Sequence, residues 1–417
     1  MKSLRIFAAI LAGLLAVRLV VMAFTPVFDP SEARYAALSA NMARTGDFLV
    51  PHFTYQDCYQ SFDGKPPLVF QAGGLFCRVF GVNEFAVRLF PLLSAILLLV
   101  ILYHAVRRFS DAETGRLAVL ICASCTAFYA AAGFALPDMT LTCCVAGALL
   151  LYRCFTEARQ VRYALGVAAL LGAGMIVKGP VALVMFGLPV LIDGFVNRRW
   201  KCIFSAKWLI AAPVFLAIAV PWFVLVERRN PGSVWYFFYN ENFLRFLVHN
   251  YGDKYGAGRE AFRGVSILWA LVSTLPWVLL LPSFNRKDYA VGGWRNVPRW
   301  IAGWTNWRSF ELISFLAIVG FWCLTSRVLL YYLFPMIPLF AAWMALRPNA
   351  VRRFGRFALP IACISAFICT AVLVGCALFS DKMEGRKGAY HPNANRYAYE
   401  FYHGTPQSAL DNAAKAK

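Results

Sequence analysis

The stretch Phe28-Asp29-Pro30-Ser31-Glu32-Ala33-Arg34-Tyr35 comes directly after the first long apolar segment of the chain. It places two carboxylates and an arginine where a membrane-spanning helix would leave the lipid. Asp29, Pro30 and Glu32 also favour the first turn of a helix, which would run to Arg44 and end at Gly46, so capping alone accounts for both acids. Ionisable residues at membrane depth are, however, candidates for function, and both interpretations stay open here.

The composition predicts an all-α, multi-pass membrane protein. Of the 417 residues, 60% are hydrophobic and 15% charged, and the mean hydropathy is +0.58, whereas a soluble domain has about 25% charged residues. Apolar runs of roughly 20 residues recur along the chain, which is typical of spanning helices. The net charge of +20 fits basic cytoplasmic loops, and no nucleic-acid partner is predicted. The 12 cysteines lie mostly in apolar segments without metal-type spacing, so no metal site is predicted.

The basic residues determine the predicted topology. The basic loop around residues 107–116 should be cytoplasmic, so an even number of spans precedes it if the N-terminus is cytoplasmic too. Spans 4–24 and 86–106 make two, and the apolar run 67–80 is too short to cross. Residues 25–85, called the first loop below, are therefore predicted to be one large outer loop with interfacial helices.

Counting spans between the basic loops in the same way gives about eleven spans in one transmembrane domain, residues 1–379. The other nine are predicted at 117–135, 139–155, 163–177, 180–196, 208–226, 264–283, 310–325, 328–346 and 357–379. Residues 227–263 form a second outer loop, and the outer tail 380–417 is expected to be partly disordered. The spans read as mostly uninterrupted, which disfavours a transporter built on broken helices.

Basic residues on the predicted outer face point to an anionic ligand. Lys65 precedes Pro66-Pro67 and Lys178 precedes Gly179-Pro180, so each adds a charge beside a predicted helix start that favours a phosphate. A lysine snorkelling from a helix end is the simpler alternative. Asp138 begins another span at this face, as a capping acid or as part of the same site.

The second outer loop mixes aromatic and polar residues, among them Arg245 and His249. Such a mixture suits an interfacial belt and equally the stacking of rings on a sugar. His249 lacks the spacing of a metal ligand. Tyr332, near the last outer turn, either donates to an anion or anchors the chain at the interface.

Several stretches together carry a family resemblance. They are residues 29–35 as quoted above, 41–51, Phe62-Asp63-Gly64-Lys65-Pro66-Pro67-Leu68, 80–89, Leu136-Pro137-Asp138-Met139, Lys178-Gly179-Pro180 and Asn242-Phe243-Leu244-Arg245-Phe246. Through them the chain, over roughly residues 1–345, resembles the membrane glycosyltransferases of the protein O-mannosyltransferase and aminoarabinose-transferase (ArnT-like) type. That family has the GT-C fold and uses polyprenyl-phosphate sugars.

The resemblance implies an inverting glycosyltransferase whose active site lies in the first loop. Asp29, Glu32 or Asp138 would act as the general base or orient the acceptor. The candidates for binding the lipid phosphate and sugar are Arg34, Tyr35, Asp63, Lys65, Lys178, Arg245, His249 and Tyr332. Two positions depart from the family pattern, because Ser31 stands where relatives carry an aspartate and Gly64 is inserted before Lys65.

The implied partners are a polyprenyl-phosphate-linked sugar, an acceptor that is a glycolipid such as lipid A, another glycan or a protein, and the lipid bilayer. The resemblance implies no definite cofactor and leaves a divalent cation open. The expected location is the bacterial inner membrane, with the active site facing the periplasm. The alternatives are a flippase or transporter of lipid-linked sugars and a non-catalytic subunit that binds them.

Overall fold

The computed structural model describes residues 2–28, 30–248, 255, 260–283, 309–347, 350–378 and 396–415, and most of them are helical. The first eleven helices are α1 Lys2–Phe24, α2 Ser31–Thr45, α3 Leu68–Phe80, α4 Glu84–Phe109, α5 Ala112–Ser124, α6 Thr126–Ala131, α7 Pro137–Ala158, α8 Val161–Lys178, α9 Val181–Asn197, α10 Trp200–Ile203 and α11 Lys207–Arg229. Further helical segments are Ser233–Trp235, the π-helical Tyr236–Leu244, Arg245–Leu247, Val265–Ser273, Trp277–Ser283, Phe310–Cys323, Leu330–Leu333, Met336–Ala345, Ala350–Leu378, Arg396–His403 and Gln407–Lys415.

Five of these helices are long and apolar enough to cross a bilayer. They are α4, α7, α8, α11 and the part of the Ala350–Leu378 helix at Phe357–Gly375. Shorter apolar helices lie at Leu11–Phe24, Leu68–Phe80, Val181–Asn197, Phe310–Cys323 and Met336–Ala345. The long apolar helices make this a multi-pass membrane protein, as the composition predicted.

The prediction of mostly uninterrupted spans is wrong for three segments. Residues 117–135 divide into α5 and α6, residues 264–283 into Val265–Ser273 and a 3₁₀ helix, and residues 328–346 into a 3₁₀ helix and Met336–Ala345. Polar groups at the first two breaks bind each other. Thr126 N donates to Leu275 O at 2.9 Å, and the Trp277 indole donates to Ser124 Oγ at 2.9 Å. Backbone groups freed by a break are tolerated in a membrane when neighbouring segments bind them.

Arg18, a buried charged residue of α1, lies at the end of α6. Its Nε and Nη2 donate to the carbonyl oxygens of Tyr129 at 3.1 Å and Ala130 at 2.6 Å. A cation at a helix C-terminus satisfies orphan carbonyls and the dipole. Arg18 therefore has a structural role in joining α1 to α6.

The first loop contains α2, a β-hairpin and α3. Helix α2 ends at Gly46, whose φ of 78° lets its N–H return to Met42 O at 3.0 Å, as predicted. Its N-cap is Pro30, whereas the capping role predicted for Asp29 lies outside the described residues. Helix α3 packs closely on α2, because a Cβ on Gly73 would lie only 2.6 Å from Ser39 Oγ.

The hairpin is the part of the first loop that an all-helical reading missed. Strands β1 His52–Tyr55 and β2 Cys58–Ser61 pair antiparallel, with His52 opposite Ser61. Gln56 and Asp57 both have positive φ, 48° and 54°, as the two turn residues of a tight hairpin require. Four-residue strands are too short to give a clear alternation in the sequence.

The tail that was predicted to be partly disordered contains two helices within residues 396–415. Helices Arg396–His403 and Gln407–Lys415, together called the C-terminal strap, pack against the first loop. The buried Glu400 carboxylate accepts from Asn41 Nδ2 at 2.8 Å and from Thr54 N at 3.0 Å, and Arg44 Nη1 donates to Glu400 O at 2.9 Å. The strap thus fixes α2 and the hairpin, although its terminal sequence looks like low complexity.

Candidate functional site

A pocket of about 320 Å³ lies between the first loop, the α8–α9 junction and residues 233–247, which are called the pocket helix below. It is lined by Gly64, Lys65, Lys178, Pro180, Val181, Val184, Phe237, Glu241, Asn242, Arg245, Phe246, Phe321, Trp322, Thr325, Arg327, Leu329 and Tyr332. Four of these side chains are cationic and one is a carboxylate, while most others are apolar. The pocket therefore suits an amphiphilic ligand with an anionic group.

Among the described residues, the other three cations of the pocket each have an ion-pair partner, and Lys65 differs from them. Its ammonium has no hydrogen bond or salt bridge with any described residue. Burial lowers the pKa of Lys65 from its ordinary value of 10.5, Lys178 and Arg245 lower it further, and Glu241 and Tyr332 oppose them. An anion in the pocket would restore the favourable environment of the charged form. Within the described part of the chain, the Lys65 ammonium thus has hydrogen-bonding capacity left for an anion.

Lys178 and Asp138 form a buried ion pair at the end of α8. Lys178 Nζ lies 2.5 Å from Asp138 Oδ1, and it also lies 3.9 Å from the centre of the Tyr332 ring. Asp138 does not line the pocket but contacts Lys178, which does. The chain turns into α9 through Gly179, whose φ is 79° and whose added Cβ would clash with the Phe237 ring.

Glu32 is fully engaged in a second buried ion pair. Its two oxygens accept from Arg88 Nε at 2.7 Å and Nη2 at 2.9 Å, and also from Ala135 N and Phe28 N, each at 3.0 Å. The Glu32 and Arg88 side chains are 3% and 0% exposed. Both oxygens of Glu32 are therefore already bound by donors of the protein itself, a geometry that suits a residue that positions the first loop, and its catalytic role stays a prediction.

Asp63 joins the first loop to the pocket helix. Its Oδ1 accepts from Asn230 Nδ2 and from Ser233 Oγ, both at 3.0 Å. Asp63 is not among the pocket-lining residues, whereas Gly64 and Lys65 are. The inserted Gly64 lies against aromatic rings, because a Cβ there would be 3.0 Å from Phe62 and 3.1 Å from Tyr255. Asp63 thus helps to position Lys65.

Arg34 and Tyr35 lie beside the pocket rather than in its lining. The Arg34 guanidinium carbon is 5.2 Å from the Tyr35 ring centre and 5.8 Å from that of Phe62. Arg34 Nε is buried without a hydrogen-bond partner among the described residues. Tyr35 stacks on Phe70 with a centroid distance of 5.4 Å. Arg34 Nε is therefore a donor that the described residues leave unused, while Tyr35 packs in the core.

Four of the predicted substrate-binding residues, Lys65, Lys178, Arg245 and Tyr332, line the same pocket. Asp29 and His249, two further candidates, lie outside the described residues. Within the part of the chain that the structure describes, no group of three or more His, Cys, Asp and Glu side chains is arranged to hold a metal ion.

Three residues of the site were not assigned a role from the sequence. Glu241 and Arg327 line the pocket, and Arg88 holds Glu32. Glu241 pairs with Arg245, with distances of 3.1 Å and 2.9 Å to Arg245 Nη1. The spacing of four residues between Glu241 and Arg245 is a signal that sequence analysis can detect.

Comparison with known proteins gives consistent matches. Residues 64–224 match the dolichyl-phosphate-mannose-protein mannosyltransferase family. The chain is 30% identical over 274 residues to the undecaprenyl phosphate-alpha-4-amino-4-deoxy-L-arabinose arabinosyl transferase of Edwardsiella ictaluri, covering 64% of this chain and 47% of that protein. The enzyme of the same name from Enterobacter sp. is 27% identical, covering 73% and 54%. The chain thus spans about half the length of these curated relatives.

A solved structure extends the match to nearly the whole fold. The crystal structure of ArnT from Cupriavidus metallidurans bound to undecaprenyl phosphate superimposes with a TM-score of 0.76 at 21% identity, covering 98% of this chain and 88% of that one. At this identity the match establishes the fold. The resemblance predicted from the sequence is confirmed: this multi-pass membrane protein shares the fold of ArnT and is similar to the aminoarabinose transferases, with the dolichyl-phosphate-mannose-protein mannosyltransferase pattern at residues 64–224.

Proposed function

We propose that this protein is an inverting glycosyltransferase that moves a sugar from a polyprenyl-phosphate donor to an acceptor. The observation that carries the proposal is the convergence of Lys65, Lys178 and Arg245 on one largely apolar pocket. The cations would bind the donor phosphate and stabilise the charge that grows on it as the sugar leaves. The aromatic and aliphatic lining would accept the first part of the polyprenyl chain.

The reaction exchanges one bond to the anomeric carbon for another. The acceptor hydroxyl oxygen attacks that carbon from the face opposite the phosphate, the carbon–oxygen bond to the phosphate breaks, and polyprenyl phosphate departs with the electron pair. A carboxylate takes the hydroxyl proton. We assign this role to Asp138 or Asp29, since the oxygens of Glu32 are already bound, and we give Glu32 the task of positioning the first loop.

The proposal includes the predicted topology of eleven spans with the pocket on the periplasmic side of the bacterial inner membrane. Two contacts support it. The first loop touches the pocket helix through Asp63 and Ser233, and the strap through Asn41 and Glu400. Segments that touch outside the membrane share a side, and the numbers of predicted spans between them, six and ten, are both even.

The donor sugar is proposed from the relatives, whose names specify 4-amino-4-deoxy-L-arabinose on undecaprenyl phosphate. The acceptor is a glycolipid such as lipid A, another envelope glycan or a protein. Since the chain spans about half the length of those relatives, acceptor choice is the part of their activity least transferable to it.

The test is a transfer assay with the purified full chain in lipid vesicles. Undecaprenyl phosphate carrying the amino sugar is supplied with lipid A, and the acceptor is analysed by mass spectrometry. A mass increase of one amino sugar that depends on Lys65 supports the proposal. Movement of the donor across the vesicle bilayer without transfer would indicate a flippase, and donor binding without either would indicate a non-catalytic subunit.

A further inference from the structure

The pocket contains a negative charge where an anion is expected to bind. Glu241 is the one carboxylate that the described part of the chain contributes to the lining. Its side chain is only 4% exposed, although it lies among the four cations. A carboxylate in this position weakens the attraction of the pocket for a phosphate, so phosphate binding alone does not explain it.

The position of Glu241 relates it to the phosphate-binding cations directly. Both of its oxygens lie within 3.1 Å of Arg245 Nη1, and its charge opposes the lowering of the Lys65 pKa by burial. One sugar ring attached to a phosphate on these cations would therefore be within reach of the carboxylate. The pocket has both signs of charge, arranged for a ligand that also has both.

We propose that Glu241 is a specificity-determining residue that binds a cationic amino group on the donor sugar. The inference rests on the proposed function, because it needs a sugar-phosphate donor in this pocket. A zwitterionic donor would place its phosphate on Lys65 and Lys178 and its ammonium on Glu241. A neutral sugar would gain no charge-assisted hydrogen bond from the carboxylate.

The simpler role for Glu241 is to hold Arg245 in place through their i,i+4 pair. The two roles predict opposite signs for one measurement. If Glu241 only orients Arg245, Glu241→Gln weakens binding of any ligand that carries the phosphate. If Glu241 binds the amino group, Glu241→Gln weakens binding of the amino sugar donor but leaves undecaprenyl phosphate bound equally or more tightly, since a repulsive charge has been removed.

The experiment measures the affinities of three lipids for the full chain in lipid nanodiscs. They are undecaprenyl phosphate, its conjugate with the amino sugar, and the same conjugate N-acetylated, which keeps the ring and removes the charge. We expect wild-type protein to prefer the amino form over the acetylated form by about tenfold or more, which is the scale of one charge-assisted hydrogen bond. Glu241→Gln should bring that ratio close to one.

Glu260→Gln is the matched control. Glu260 pairs with Arg327, another arginine of the lining, at 2.9 Å, but Glu260 is not itself a lining residue. The control should keep the wild-type ratio. A wild-type ratio near one overturns the inference without any variant, so poor folding of Glu241→Gln does not leave it unresolved.

The remaining outcomes of the binding and transfer measurements also test the inference. A loss of undecaprenyl phosphate binding in Glu241→Gln equal to the loss of amino sugar donor binding overturns the inference in favour of the orienting role. Transfer by the wild-type protein with no discrimination between the two conjugates overturns the inference and leaves the proposed function standing. Failure of the wild-type protein to bind undecaprenyl phosphate overturns both.

Discussion

Replacing Glu32 by glutamine is expected to destabilise the fold before it affects any chemistry. Glu32 and Arg88 are 3% and 0% exposed and share two hydrogen bonds, and Glu32 accepts two more from backbone N–H groups. In Glu32→Gln one oxygen becomes an NH₂ group that faces donors, and the buried Arg88 loses its hydrogen-bonded ion-pair partner. Removing one partner of a buried pair costs about 3–5 kcal/mol.

The assay is the free energy of unfolding in mixed detergent micelles, measured with a denaturant series. Glu113→Gln is the matched control, because Glu113 also pairs with an arginine, Arg116, but its side chain is 52% exposed. Loss of an exposed pair costs about 1 kcal/mol or less. We therefore expect the buried substitution to be at least three times as costly as the exposed one.

A double-variant cycle separates the pair from its surroundings. Glu32→Leu combined with Arg88→Leu should cost less than the sum of the two single changes. It should not restore full stability, because Arg88 also donates to Met22 O at 2.7 Å and Pro26 O at 2.9 Å at the end of α1. A stable Glu32→Gln protein that has lost transfer would refute this reasoning and make Glu32 a candidate base again.

Three further predictions concern the pocket. Lys65→Ala should weaken binding of undecaprenyl phosphate by about tenfold or more; the wild-type affinity should fall as the pH rises through the lowered pKa of Lys65, and the variant should lose this dependence. Asp138→Asn should lower turnover by about a hundredfold or more, whether Asp138 accepts the proton or holds Lys178. Gly179→Ala should lower donor affinity, because a Cβ is strained at φ 79° and would displace the ring of a pocket phenylalanine. The control Gly187→Ala should leave donor affinity unchanged, since no atom lies within 4 Å of a Cβ at that position.

Each of these predictions has a clear contrary result. Unchanged affinity in Lys65→Ala across the pH range would argue against its contact with the phosphate. Full turnover in Asp138→Asn would exclude both of its roles, and Asp193→Asn, which removes a buried aspartate paired with Arg199 instead, controls for loss of folding. Equal donor affinity in the two glycine variants would mean that the α8–α9 junction does not shape the pocket.

The sequence predicted the part of the site that follows from topology. Lys65, Lys178, Arg245 and Tyr332 lie far apart in the chain, yet each lies in an outer loop or at the outer end of a span at the same predicted face. Counting spans from the basic loops brought them to one side of the membrane, and all four line one pocket. Charge and hydropathy suffice for this, because the bilayer reduces the placement of a loop to two choices.

The sequence could not show which side chains face one another. Glu32 looked like a capping or catalytic acid because its partner Arg88 is 56 residues away, and Asp138 looked independent because Lys178 is 40 residues away. The break between α5 and α6 was also hidden, since the hydrogen bonds that permit it come from residue 275. Such pairings depend on the packing of helices, which a single sequence does not encode in any local pattern.

The C-terminal strap links the start of the chain to its end. Its hydrogen bonds with the first loop join residues 318 to 375 positions apart, from Glu84 with Tyr402 to Val27 with Tyr402. The first loop therefore leaves the ribosome long before its partner does, and the membrane helices are made in between. The loop can complete its hydrogen bonds only after those helices are in place and the strap has reached the same side. Assembly of the pocket wall is thus a late event, which ties the mature site to successful insertion of the whole domain.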